Sequence, residues 1–404
     1  MATQSATKGH MLIGQSGGPT AVINASLVGA IHEAQRLDAV DGIYGALNGI
    51  EGALDHRMID LRRESAATLD QLMNTPSAAL GSCRYRLQPD DPARAVNLMR
   101  DLGVRYFLYI GGNDSADTAH RINQAAKSMH YDLRVIGIPK TIDNDLPITD
   151  HCPGFGSAAR FIAAATMDSA RCTEAMPSHY PVKIIEVMGR YAGWLAGSAA
   201  LGKRTPDDAP HLIYVPERPI DPGVFLSQVR TTVKRLGYCV IIVAEHLADT
   251  SGRQIGEAMA QGVDAFGHPL VAGVAQTLVD MVHRELGMRA RFDKPGDEQR
   301  MATMHISTAD RDEAYLVGRM ALRYAVRGIT GKMVTLVRAA GPRYACETGL
   351  ADLDSIANAQ KLLPPEYLDA EGTGMTPAFL DYVRPLIGAP LPVHAQLRGE
   401  RIGA

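Results

Sequence analysis

Tyr106-Phe107-Leu108-Tyr109-Ile110-Gly111-Gly112-Asn113-Asp114-Ser115 runs from a short apolar stretch, through paired glycines, into a helical pattern. The same design recurs at Met11 to Ile13, Val135 to Ile138, Ile184 to Val187 and Val240 to Ala244, each bounded by Gly, Pro or polar residues. Several of these runs lead into Ala-rich helical segments. Short strands alternating with helices predict βαβ units and parallel sheets, an α/β fold. In open sheets of this kind ligands bind at the C-terminal ends of the strands. That rim is where the glycines and polar side chains of this sequence collect.

The chain has 404 residues, enough for about two domains with separate cores. Apolar residues make up 46% and charged residues 21%, and the formal net charge is -3. This balance gives no general attraction to nucleic acid or to an anionic membrane, so anions must be recognised by local clusters. No apolar run opens the chain and none is long enough to cross a bilayer, which predicts a cytoplasmic protein. The five cysteines, Cys83, Cys152, Cys172, Cys239 and Cys346, form no C-x-x-C pair and read as reduced thiols. Beyond Gly341 the pattern loosens around Pro364, Pro365, Pro377, Pro385, Pro390 and Pro392, and 341–404 reads as a peripheral C-terminal extension.

Chemistry gathers at five strand ends. Gly14-Gln15-Ser16-Gly17-Gly18-Pro19-Thr20 precedes a helical segment and offers backbone N–H groups to a phosphate. At Gly111-Gly112-Asn113-Asp114-Ser115 the cradle carries an acid, which repels a bare phosphate but binds one through Mg²⁺. Pro139-Lys140-Thr141-Ile142-Asp143-Asn144-Asp145 sets two carboxylates beside a hydroxyl and an ammonium, a grouping suited to phosphoryl transfer. Glu186-Val187-Met188-Gly189-Arg190-Tyr191-Ala192-Gly193 offers a guanidinium to a sugar phosphate. Ala244-Glu245-His246 supplies an acceptor for sugar hydroxyls, and 289–300 concentrates guanidinium groups. Taken singly, each of these stretches also fits a solvated loop or a simple helix cap.

Together and in this order the segments resemble the phosphofructokinase family, from about Met11 to Gly331. The resemblance implies two doubly wound, Rossmann-like domains with parallel sheets and a cleft between them. A phosphoryl-donor domain would comprise 1–155 with 305–340 returning to it, and a fructose 6-phosphate domain 156–304. Asp143 would be the general base for the sugar 1-hydroxyl, with Thr141 beside the reacting groups and Asp145 organising Mg²⁺. Gly18, Arg84 and Gly112 match donor-side positions. Met188, Gly189, Arg190, Glu245, Asp297 and Arg300 fall on the sugar-phosphate side. Arg291 matches an arginine that the family often contributes from a neighbouring subunit, which implies a homodimer or homotetramer.

Two residues bear on the donor. Members that use ATP usually carry glycine at the position of Asp114 and a small residue at that of Lys140. The carboxylate here would repel a nucleotide's α-phosphate, and the lysine would stabilise the phosphate leaving from pyrophosphate, so the pair resembles the pyrophosphate-dependent branch. The family pattern is broken at Asn113, where many members have a metal-binding Asp, and at Pro181, whose missing arginine Lys183 is placed to replace. Asp297 stands where ATP-dependent relatives have His. An ATP-dependent kinase, or a non-catalytic paralogue that binds sugar phosphates, is the alternative. A nicotinamide dehydrogenase is disfavoured because the first glycine loop lacks G-x-G-x-x-G.

Overall fold

The computed structural model describes residues 7–256, 273–395 and 397. Its strands are β1 (Gly9–Gln15), β2 (Val40–Ala46), β3 (Met58–Asp60), β4 (Val104–Gly111), β5 (Arg134–Pro139), β6 (Val182–Val187), β7 (Leu212–Tyr214), β8 (Cys239–Ala244), β9 (Ala290–Asp293), β10 (Lys332–Arg338) and β11 (Cys346–Asp352). Among the described residues they form two sheets, ordered β11-β10-β5-β4-β1-β2-β3 and β7-β8-β6-β9. The first is parallel except at its edges, where β3 and β11 run antiparallel, and the second is parallel throughout. The α/β architecture expected from the alternation is the one observed.

Both sheets are covered on two faces, which explains why their strands are continuous apolar runs rather than alternating ones. In β4, Tyr106, Leu108 and Ile110 point to one face, against the helices Ile23–Ala34 and Thr308–Val326. Phe107 and Tyr109 point to the other, against the helix Asn113–Ser128. The second sheet repeats the arrangement, with Ile185, Val187, Val240 and Ile242 on one face and Ile184, Ile241 and Val243 on the other. Fully burying each such side chain stabilises the fold by about 1.5–3 kcal/mol. The two helices over β4 cross closely, and a Cβ on Gly318 would lie 2.0 Å from the carbonyl oxygen of Ser26.

Register brings the strand ends level. Gly111 pairs with Pro139 and Gln15 with Ile110 in the first sheet, as Val187 pairs with Ala244 in the second. The loops after β1, β4, β5, β6 and β8 therefore leave from common rims.

The segment beyond 341 departs from the peripheral extension expected. Its strand β11 closes one edge of the first sheet, and Leu353 and Ile356 are buried in that sheet's core. Leu363, Phe379, Val383, Leu386 and Ile387 are buried against the second sheet. The prolines that loosen the pattern break regular structure without exposing the apolar residues between them, so the segment packs against both cores.

Candidate active site

The strand-end loops surround an open cavity of about 660 Å³. Gly17, Gly18, Arg84, Gly112, Asn113 and Asp114 line it from the first sheet, with Lys140, Thr141, Asp143 and Asp145 from the loop after β5. Met188, Arg190 and Glu245 line it from the ends of β6 and β8, and Asp297 and Arg300 from a short helical turn. The glycine loop is fixed from behind: Gly17 N–H donates to the carbonyl of Cys83 at 3.1 Å, and Ser82 Oγ donates to the carbonyl of Gly17. Gly17 has φ +75, a left-handed conformation that glycine adopts without strain.

Lys140 is almost fully buried, and its ammonium donates to the carbonyl of Gly18 at 2.8 Å. Burial, followed by the nearby charge of Arg300, pushes it down to about 8. Burial and then the Glu245 carboxylate push Asp143 up, opposed by Lys140, Arg190 and Arg300. Asp145 is raised by burial and by Asp143, opposed in part by Lys361 and Thr141. Burial raises Glu245 too, with Arg190 opposing. The cavity thus holds carboxylates poised to accept a proton near neutral pH, facing a cluster of cations.

These residues fit a divalent cation. Asp143 and Asp145 are two carboxylates on one loop, the charge of Asp143 adds to burial in raising Asp145, and Asp145 Oδ1 is buried without a hydrogen-bond partner. Hard oxygen ligands of this kind suit Mg²⁺. Asn113 spends its amide nitrogen on the carbonyl of Ala359, which leaves only its amide oxygen for a metal.

The phosphofructokinase family profile matches residues 10–324 of the chain. The chain belongs to the phosphofructokinase family. It is 42% identical, over 96% of its length and 93% of the relative's, to the pyrophosphate–fructose 6-phosphate 1-phosphotransferase of Xanthomonas campestris. Identity is 40% to the protein of the same name from Rhodospirillum rubrum, covering 98% of both chains. The crystal structure of a pyrophosphate-dependent phosphofructokinase from Marinobacter aquaeolei superposes with a TM-score of 0.86 at 36% identity, covering 98% of each chain.

Within this phosphofructokinase chain most residues singled out from the sequence converge on the cavity, while Gly189, Arg291 and Lys183 are not among its lining residues. Arg291 lies on edge strand β9, exposed, with its guanidinium 3.4 Å from the centre of the Tyr180 ring. Lys183, placed to replace the arginine missing at Pro181, is instead paired with Asp293 across β6 and β9 at 2.7 Å. A salt partner on the neighbouring strand claims its charge.

Other residues matter that the sequence did not flag. Gln299 is buried, accepts the N–H of Met188 at 2.9 Å and donates to the carbonyl of Gly296, tying the Met188 loop to the turn carrying Arg300. Glu217 accepts the N–H groups of Gly193 and Leu363. Asp310 caps the helix Phe155–Ala175, accepting from Gly154 N–H at 2.8 Å and from Ser157. Asn358 and Gln360 line the cavity from the C-terminal segment. A Gln or Glu beside charged neighbours, as Gln299 is between Glu298 and Arg300 and Glu217 is before Arg218, reads as surface until its buried partners are known.

Proposed function

We propose that this chain transfers a phosphoryl group from pyrophosphate to the 1-hydroxyl of fructose 6-phosphate, giving fructose 1,6-bisphosphate and orthophosphate reversibly. The observation that carries the choice of donor is Asp114 together with buried Lys140 beside the glycine loops. A carboxylate there opposes a nucleotide's α-phosphate, and like charges so placed cost several kcal/mol. The names carried by the relatives from Xanthomonas campestris and Rhodospirillum rubrum agree with this reading.

Asp143 takes the proton as the sugar oxygen attacks the nearer phosphorus in line, and the bond to the departing phosphate breaks. Its raised proton affinity suits that task. Lys140 stabilises the departing phosphate, Thr141 sits beside the reacting groups, and Gly18, Arg84 and Gly112 hold the diphosphate by hydrogen bonds and charge. Met188, Gly189, Arg190 and Arg300 take the sugar phosphate, with Asp297 orienting Arg300 through their 2.8 Å ion pair. Glu245 accepts hydrogen bonds from sugar hydroxyls. Mg²⁺, held by Asp145 and the amide oxygen of Asn113, supplies charge neutralisation on the phosphates when bound.

In this reading the first sheet, with the returning segment 305–340, carries the donor and 156–304 the sugar phosphate. Arg291 does not line its own cavity and lies against Tyr180, and in this reading it serves a neighbour in a homodimer or homotetramer. The absence of any helix long and apolar enough to cross a membrane among the described residues, together with the free cysteines, fits a cytoplasmic enzyme. A donor-swap assay with purified protein, Mg²⁺ and fructose 6-phosphate tests the proposal. Turnover with pyrophosphate and little with ATP is expected. Turnover with ATP alone refutes the donor assignment, and turnover with neither refutes catalysis.

A further inference from the structure

We propose that Asn358–Lys361 forms the outer wall of the donor pocket and limits the donor to a diphosphate, an inference that rests on the phosphoryl-transfer reading of this cavity. The segment crosses from one core to the other, with Ile356 buried against the first sheet and Leu363 against the second. Between them the backbone is pinned at both ends. Asn358 adopts φ 60, which Asn tolerates better than most residues, and the carbonyl of the next residue, Ala359, accepts the side-chain N–H of Asn113. Asn113 begins the helix that follows the Gly111-Gly112 cradle, so this contact abuts the donor side.

Lys361 fixes the other end. Its N–H donates to the carbonyl of Asp145 at 2.6 Å, and its own carbonyl accepts the indole N–H of Trp194 at 3.0 Å. Its ammonium donates to the carbonyls of Thr149 and Asp150 at 3.1 and 2.8 Å. The segment is thus bonded to the donor-side helix, to the loop of the two carboxylates and to the helix following the Met188 loop. With Lys361 committed to anchoring, the exposed groups that this segment presents to the cavity are the amides of Asn358 and Gln360. Neutral amides can donate to phosphate oxygens beside Asp114 without adding charge. A donor extending past its second phosphorus would have to displace a strap held by all of these bonds.

Gln360→Ala and Asn358→Gly test the wall, the glycine preserving the left-handed backbone. Steady-state rates are measured with pyrophosphate and with inorganic tripolyphosphate, alongside thermal melting and calorimetric binding of pyrophosphate. The double variant is expected to raise KM for pyrophosphate about tenfold, the loss of about one hydrogen bond to a charged group. Its preference for pyrophosphate over tripolyphosphate should narrow by a similar factor. The KM for fructose 6-phosphate and the kcat at saturating pyrophosphate should change less than about twofold, the pattern of a lost uniform binding contact. Gln360→Ala alone, at an exposed side chain, provides the same readout if the double variant melts early. A wild type active with pyrophosphate and variants unchanged in KM and donor preference overturn the wall alone. A wild type that uses ATP or tripolyphosphate as readily as it uses pyrophosphate also overturns it, and one that uses ATP only overturns the proposed function too. Should the wild type turn over no donor, equal calorimetric affinity of wild type and variant for pyrophosphate overturns the wall.

Discussion

Replacing Lys140 with Met should make this protein more stable while disabling it. Lys140 is 3% exposed, and burial with its cationic neighbours holds its ammonium at about 8 against an ordinary 10.5. At about 1.4 kcal/mol per tenfold, keeping it charged in the folded state costs roughly 3 kcal/mol. Losing the 2.8 Å bond that this charged group makes to the carbonyl of Gly18 returns about 1.5–2 kcal/mol of that. Methionine fills a similar volume, so a net gain of about 1 kcal/mol remains, or about 1–2 °C in Tm for a chain of this size. The sign follows from linkage. A lysine whose folded value lies below its unfolded value destabilises fully below about 8, and that penalty fades as pH rises towards 10.5. Thermal melts of wild type and Lys140→Met at several pH values should show the variant ahead at pH 7 and the gap closing in alkali. Turnover with pyrophosphate should fall by about 100-fold or more, the usual loss when a charge-stabilising donor is removed. A variant that melts at or below wild type at pH 7, or a gap that does not change with pH, refutes the reasoning.

Asp143→Asn removes the proton acceptor and should lower kcat by roughly 10²–10⁴ while fructose 6-phosphate binding, read by calorimetry, stays within a few-fold. Retained turnover would remove Asp143 from the role of base. With Asp143 raised and Lys140 lowered, kcat/KM for pyrophosphate should fall on the acid side as the carboxylate protonates, and again above about pH 8 as Lys140 loses its charge. A profile flat from pH 7 to pH 10 contradicts the alkaline limb. Gly318→Ala drives a methyl group into the backbone of the facing helix and should lower stability by about 1–3 kcal/mol or more, read from denaturant midpoints. A neutral result would mean that the helices separate without cost.

Local sequence was enough for what local backbone geometry decides. An apolar run ending in Gly111-Gly112 or Pro139-Lys140 favours a strand with a loop at its C-terminal end, and the alternation of such runs with helical segments points to parallel pairing. Thus the α/β class, Asp143, Asp145, Arg190 and Glu245 could be picked out before any contact was known, and the structure brings these side chains to one cavity. Tertiary structure alone decided the rest. Asn113 and Ala359 meet across 246 residues, and nothing near either one signals the other. The segment beyond 341 looked peripheral because its prolines interrupt periodicity, yet its apolar residues fill two cores. Lys183 and Arg291 drew attention for their charge, but neighbouring strands and an aromatic face hold them away from the cavity. The shifts of Lys140 and Asp143 arise from burial and from charges on other loops, so those values belong to the folded chain and not to the motif.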